Sequence, residues 1–416
     1  MERGISLLGL FVFVGISYLC SVNRQAVRWH PVLWGIGLQF ILAVLILKTQ
    51  AGFALFEFLG NAVSHFLNFS DQGAKFVFGE DFQDHFIAFK VLPTIIFFSS
   101  FISILYHYKI LQKIVEAVAW VMMRTLKTSG SETLSCSANI FIGQTEAPLL
   151  IKPYIYTLTN SELHAVMTGG FATIAGGVMA AYISFGIPAE HILAASVMSA
   201  PAALAISKIF YPETEISLTK GKVKIEVQPT SANGIDAAAT GASDGMKLAL
   251  NVAAMLIAFL GLLALINGVL QWLGSFWGMP SLSLEGIFGY LFAPVAWLMG
   301  IPIADCLQVG VLLGKKTVLN EFIAYLDLKQ LIENSQQLAQ GKGGENSVST
   351  ISERAIIIST YALCGFSNIG SIAIQIGGIS AIAPERQADV ARLGIRAMIA
   401  GSIACFMTAC IAGILL

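Results

Sequence analysis

The 416 residues carry 24 Lys+Arg against 25 Asp+Glu, a formal net charge of -1, and are 56% hydrophobic but only 12% charged. A charged fraction about half the ~25% of ordinary soluble domains, together with a mean hydropathy of +0.75, describes an integral membrane protein and excludes a soluble enzyme. The balanced charge gives no footing for nucleic-acid binding or an acidic tail. The six cysteines (Cys20, Cys136, Cys306, Cys364, Cys405, Cys410) are scattered without a C-x-x-C pair, which argues against metal ligation or a disulfide framework and for small packing residues.

A spanning helix needs about 20 mostly apolar residues. Eight segments qualify, at roughly 5–21, 31–48, 86–106, 163–185, 189–211, 247–271, 355–381 and 394–416. The first could pass for a signal peptide, but no A-x-A-like cleavage site follows, so it is read as retained. Arg24 and Arg28 place the loop after it in the cytoplasm and the amino terminus outside. Segments 52–69 and 110–126 put apolar residues at helical spacing with charges between them, which predicts helices lying along an interface. The polar stretches 212–246 and 328–350 predict extramembrane loops.

Two regions are apolar enough to enter a bilayer yet polar at their centres. In 128–158 the centre holds Asn139, Gly143, Gln144, Thr145, Glu146 and Pro148. An ionisable residue at mid-bilayer costs at least about 2.5 kcal/mol, and irregular backbone at that depth must be buried in protein or line a cavity. The segment therefore predicts a re-entrant hairpin with a polar tip, the other reading being an apolar aqueous loop. In 303–329 the centre holds Gly314, Lys315, Lys316, Thr317, Asn320 and Glu321. Taken alone, it fits a short span and a loop equally well.

Laying one half of the chain on the other decides for a second hairpin, because each half repeats one order of events. A glutamate-bearing tip (Glu146, Glu321) is followed by a half-helix, a polar connection and an apolar span containing a Gly-Phe break, "GFATIAG" at 170–176 and "GFSNIGS" at 365–371. Glycines with polar residues in mid-span weaken the helix and free backbone carbonyls, aiming half-helix ends at a midplane site. Gly176, Gly177, Gly377 and Gly378 are read instead as close-packing positions.

The tips and breaks gather Asn139, Gln144, Thr145, Glu146, Thr173, Asn320, Glu321, Asn368 and Ser371, with no Arg, Lys or His. An anion would call for an Arg clamp, so the set predicts a neutral solute rich in hydroxyls and amides, with room for a hard cation. Amides such as Gln144 and Asn368 offer donor and acceptor side by side for a nucleobase or amide edge, ionised carboxylates accept paired hydroxyls such as those of a ribose, and Phe366 offers an apolar face. Oxygen ligands suit sodium, and a proton on Glu146 or Glu321 suits the same site. No phosphate-cradling loop is present, which argues against direct ATP drive. Outside the transport class stands an intramembrane enzyme using the two glutamates as acid and base, against which their repeat-related placement argues; a passive channel is the third reading. Asn320 and Glu146 also have plain roles open to them, capping helix ends. Lys315 and Lys316 are expected in solvent or at headgroups. His30, His65, His85, His107, His164 and His191 are expected in solvated or packing roles.

The strings "GQTEAPLLIKPY", "GGFATIAGGVMAAYISFG", "TVLNEFIAYL" and "YALCGFSNIGSIAIQIGG" together resemble the concentrative nucleoside transporters in their bacterial eight-span form, over about residues 85–416. The resemblance implies an all-α polytopic membrane protein of eight transmembrane helices, two re-entrant helical hairpins, interfacial helices and an inverted repeat. It implies a homotrimeric inner-membrane symporter, not an enzyme, that imports nucleosides such as uridine on a sodium gradient (on protons in some members), with sodium as coupling ion and no other cofactor. Mainly scaffold helices would occupy 1–127, with a further scaffold span at 247–271. A moving transport domain would comprise 128–211 and 303–416. Gln144, Thr145 and Glu146 would face the nucleobase, with Val178 lining the pocket, and Glu321, Asn368 and Ser371 the ribose, with Phe366 beside them. Sodium would sit on the side chains of Asn139 and Thr173 and the carbonyls of Ile142 and Ile174. Thr173 stands where a serine is expected, keeping the hydroxyl, and Ile142 is a bulkier form of an expected valine.

Overall fold

The computed structural model describes residues 1–220, 231–339 and 349–416. It is helical throughout, with one isolated bridge between Ser129 and Lys220 as the only extended pairing among the described residues. The amino-terminal part comprises α1 (Glu2–Leu19), α2 (Trp29–Lys48), α3 (Gln50–Leu67), α4 (Ser70–Phe78), α5 (Leu92–His107) and α6 (Ile110–Leu126). Helices α3 and α6 are the two predicted interfacial segments, and most of their residues stay exposed or half-buried.

The first hairpin is α7 (Gly130–Ala138) running into a tip and returning as a tight 3₁₀ stretch, Ala147–Thr157, which Pro148 and Pro153 keep from becoming a regular α-helix. The broken span that follows is α8 (Asn160–Ala172) and α9 (Gly176–Ser184), parted at Thr173–Ala175. Then come α10 (Ala189–Phe210), α11 (Gly234–Ser275) and α12 (Leu284–Leu298). The second hairpin is α13 (Cys306–Val318) and α14 (Glu321–Ala339). The second broken span is α15 (Glu353–Leu363) and α16 (Ile369–Ile382), and α17 (Gln387–Leu415) closes the chain.

Among the described residues, seven helical stretches are long and apolar enough to cross a bilayer: Glu2–Leu19, Trp29–Lys48, Glu80–His107, Asn160–Ser184, Ala189–Phe210, Gly234–Ser275 and Pro384–Leu415. The remaining predicted span, 355–381, is divided by its own break into α15 and α16, each too short to span alone. Burial separates two populations. Asn160–Ser184, Ala189–Phe210 and Pro384–Leu415 are mostly buried within the protein, while α1, α2 and above all α11 present apolar side chains outward, as lipid-facing or subunit-facing helices do.

Three sequence expectations need correction. Residues 234–246 are not loop but the first three turns of α11, started by Asn233, whose side chain accepts from the Ile235 and Asp236 amides. Likewise 328–339 continues α14 rather than beginning a loop. The rest of the two predicted loops includes 221–230 and 340–348, which lie outside the described residues. Third, Gly314, Lys315, Lys316 and Thr317 belong to the body of α13 and not to a polar tip, which is only Leu319–Asn320. Lys315 pairs with Asp327 at 2.7 Å. Lys316 is 1% exposed and donates from Nζ to the Ala362 carbonyl at 2.8 Å, so it is neither solvated nor at a headgroup.

The hairpins are held at their bases. Capping boxes at Ser129/Glu132 and Thr159/Glu162 start α7 and α8, satisfying amides that a helix cannot serve itself. Lys208 of α10 joins them, 2.7 Å from Glu132 and 2.8 Å from the Ser161 hydroxyl. At the second hairpin the Asp305 carboxylate accepts from the Ser352 hydroxyl at 2.6 Å, tying the start of α13 to the start of α15.

Candidate functional site

Both breaks cross beside the first tip. Phe366 donates its amide to the Thr173 carbonyl at 3.1 Å, and Gly176 donates to the Phe141 carbonyl at 3.3 Å. The small residues allow this approach: a Cβ on Gly176 would stand 2.6 Å from the Phe141 oxygen and 2.8 Å from the Phe98 ring, and one on Gly378 2.9 Å from Thr145. Gly177 abuts Ser99 in the same way, whereas Gly377 has open space around it, so the packing role assigned to it does not hold.

A cavity of about 160 Å³ opens where the two tips face the two breaks. Gln144, Thr145, Glu146, Val178, Glu321, Phe366, Asn368 and Ser371 all line it, joined by Asn320 and, from α11, an apolar wall of Leu248, Val252, Met255 and Leu256. The two glutamates share the cavity but differ. Glu321 is 4% exposed, whereas Glu146 is exposed and does not cap the stretch it begins.

Glu321 is the first residue of α14, where the helix dipole favours a carboxylate. Its Oε1 accepts from the Tyr182 hydroxyl and its Oε2 from Asn368 Nδ2, both at 3.0 Å. Asn368 serves twice, since its Oδ1 caps α16 by accepting the Ser371 amide at 2.8 Å. Asn320 takes the plain role, its Oδ1 capping α14 through the Ile323 amide at 3.0 Å. Across the cavity the Gln144 amide is fixed at both ends: its Nε2 donates to Ser371 Oγ at 3.3 Å and its Oε1 accepts from Gln375 Nε2 at 3.0 Å.

Tyr182 and Gln375 are the residues that sequence reasoning missed. Each lies in the second turn of the helix after its own break, and each bonds to the tip residue of the opposite half. Tyr182 stands four residues after Val178, and Gln375 four after Ser371, so one helical turn separates each from a residue already assigned to the pocket.

Asn139, Ile142, Thr173 and Ile174 do not line the cavity; they are buried directly behind it, on the two segments that Gly143 and Ala175 join. Asn139 Nδ2 donates to the Ser135 carbonyl at 3.1 Å while its Oδ1 is buried without a hydrogen-bond partner. Thr173 Oγ1 donates to the Gly169 carbonyl at 2.8 Å, leaving its lone pairs unused. A buried acceptor such as the Asn139 oxygen, left unmatched, costs about 1–3 kcal/mol. That amide oxygen and the Thr173 hydroxyl, each at a helix C-terminus, are hard ligands in an electronegative setting, fit to hold a small cation.

The family described as "Na+ dependent nucleoside transporter C-terminus" matches residues 191–413. Its amino-terminal counterpart matches 8–81, and a family described as "Nucleoside recognition" matches 88–189. Human "Solute carrier family 28 member 3" is 49% identical over 421 residues, covering 100% of this chain and 60% of that protein. Human "Sodium/nucleoside cotransporter 1" is 46% identical over 415 residues, covering 100% and 64%. The chain thus spans about three-fifths of the length of these relatives. Among solved structures, that of CNTnw in an inward-facing substrate-bound state superposes with a TM-score of 0.92 at 38% identity, covering 100% of this chain and 98% of the other. A CNTnw variant in an outward-facing state gives 0.91 at the same identity and coverage.

Proposed function

The chain belongs to the Na+ dependent nucleoside transporter family, and from that premise we propose that it is a multi-pass secondary active transporter importing nucleosides by symport with sodium. The observation that carries this reading is a cavity in which hydroxyl-, amide- and carboxylate-bearing side chains from both halves of the repeat converge with no cationic residue in its lining. Glu321, Asn368 and Ser371 take the ribose hydroxyls, Gln144, Thr145 and Glu146 the base edge, and Phe366 and Val178 the ring faces. Asn139, Thr173 and the carbonyls of Ile142 and Ile174 take the sodium ion. Residues 128–211 and 303–416 move as a transport domain against a scaffold of 1–127 and α11, the protein assembling as a homotrimer in the inner (plasma) membrane.

One charge moved through 100 mV releases about 2.3 kcal/mol, enough for roughly 50-fold accumulation from the electrical term alone. The test is labelled-uridine uptake into proteoliposomes: an inward sodium gradient is expected to drive accumulation, and choline in its place at fixed pH is expected to abolish it. Uptake that survives choline and follows a proton gradient instead would transfer the coupling role to a proton on Glu146 or Glu321. Equilibration without accumulation would indicate a channel.

Tyr182 fits this scheme as the residue that orients Glu321. Tyr182→Phe removes one hydrogen bond to a charged acceptor, about 1.5 kcal/mol, so the half-saturating uridine concentration is expected to rise about tenfold. The half-saturating sodium concentration is expected to stay put, and a change confined to sodium would show that Tyr182 serves the other site.

A further inference from the structure

The buried lysine of α13 has no part in the scheme above, and its surroundings give it one. Both broken spans stop inside the protein, and each leaves its last carbonyls without helical partners, equivalent to roughly half a negative charge per helix end. In the first repeat that end is α8, closing at Ala172. Asn139, at the end of the first arm of its hairpin, lies against the last turn of α8, since a Cβ on Gly169 would stand 3.5 Å from Asn139 Nδ2. Residues 139–143 and 169–176 contain no Lys, Arg or His, and the Asn139 Oδ1 beside this end has no hydrogen-bond partner among the described residues.

In the second repeat the end is α15, closing at Leu363. Lys316, in the last turn of the first arm of the second hairpin, places its Nζ 2.8 Å from the Ala362 carbonyl in the last turn of α15. Lys316 therefore occupies, in its repeat, the place Asn139 occupies in the other: first arm, near the tip, against the terminal turn of the half-helix. One position ends in an unmatched acceptor, the other in an ammonium.

We propose that Lys316 is a resident cation, a tethered ammonium that does for the second broken span what a free cation does for the first, so that the second repeat takes no ion from solution. Resting on the transport reading for its uptake arm, the proposal explains why two related sites differ in their needs. It also accounts for a fully buried lysine whose ammonium bonds to a backbone carbonyl at a helix end.

Truncation tests this by leaving a gap that admits a small alkylammonium ion. In Lys316→Ala, uridine uptake at low sodium is expected to fall about 100-fold, the loss of a charged hydrogen bond at a buried helix end. Methylammonium in the buffer is expected to restore at least a tenth of the parent rate, and the sodium dependence is expected to steepen as a second ion enters the gap. Lys316→Met, which keeps the volume and leaves no gap, is expected to lose uptake with or without the amine, and the parent and Lys315→Ala are expected to ignore it.

A second readout needs no transport: methylammonium is expected to raise the unfolding temperature of purified Lys316→Ala and not of the parent. If the parent itself fails to accumulate uridine, the transport reading falls while this melting comparison still decides the role of Lys316. The proposal is overturned if Lys316→Ala keeps the parent's uptake and sodium dependence, if it folds but is indifferent to the amine in both assays, if it stays unfolded with the amine present, or if the amine revives Lys316→Met as well.

Discussion

Glu321→Gln is expected to abolish concentrative uridine uptake while leaving a folded protein. The change keeps volume but exchanges one acceptor oxygen for a donor amide in a place where both oxygens already accept, from Tyr182 and from Asn368 at 3.0 Å each. Turned toward Asn368 the new NH2 meets a donor, and turned toward Tyr182 it forces the hydroxyl to reverse and accept. The residue is 4% exposed, and in the proposed binding mode the ribose loses the acceptor that its paired hydroxyls require. Hydrogen bonds to charged groups contribute about 1.5–3 kcal/mol each, and losing two corresponds to a fall of 100-fold or more. Labelled-uridine uptake into proteoliposomes, with a melting curve to confirm folding, measures it. The partner experiment uses the substrate: 2′- and 3′-deoxyuridine are expected to be poor substrates of the parent, because a site built for a hydroxyl rejects its absence sharply, and to lose nothing further in the variant. Accumulation in Glu321→Gln at the parent's level would remove Glu321 from the ribose.

Several elements were legible because the bilayer constrains sequence so tightly. The spans at 31–48 and 189–211 appear as α2 and α10 within a residue or two, and both breaks fall where a Gly-Phe pair precedes a polar residue. What could not be read has physical causes. Hydropathy reports the solvent around a helix, not the helix itself, so the first turns of α11 and the far end of α14 leave the apolar region and read as loops. In α11 the Asn233 cap and Asp236 in the first turn were the available signal. Helix α12, at 15 residues and with Pro294 inside it, falls below the length a span needs and is not among the predicted spans.

At the site, Gln144, Thr145, Glu146, Asn320, Glu321, Asn368 and Ser371 line one cavity, while Asn139 and Thr173 of the same predicted set do not. The partners that orient them, Tyr182 and Gln375, sit one turn further along, where amphipathic spacing cannot tell a pocket-facing polar group from a packing one. The symmetry itself is imperfect in a way the sequence does not display. Glu321 is enclosed and doubly bonded, whereas Glu146 stays open to solvent, so the two tips are not interchangeable halves of one grip.

The same asymmetry predicts where sodium dependence can be broken without touching the nucleoside contacts. Asn139 and Thr173 each direct a donor to a carbonyl of the local helix, Ser135 and Gly169 respectively, which leaves oxygen lone pairs available to an ion. Neither residue lines the cavity. Asn139→Ala is therefore expected to raise the half-saturating sodium concentration by 10- to 100-fold, the worth of about 1.4–2.8 kcal/mol of oxygen coordination at a buried site. Uridine binding measured at saturating sodium is expected to recover most of the parent's affinity. Thr173→Val keeps the shape and removes the hydroxyl, and is expected to move sodium dependence the same way by a smaller factor, because a hydroxyl oxygen carries less negative charge than the amide oxygen of Asn139, which has no other partner. The double variant separates a shared ion from two independent defects: ligands of one ion give a combined loss that departs from the sum of the single losses, while additive losses with a changed uridine affinity at saturating sodium would place both residues in the nucleoside pocket's framework and leave the ion to be sought elsewhere.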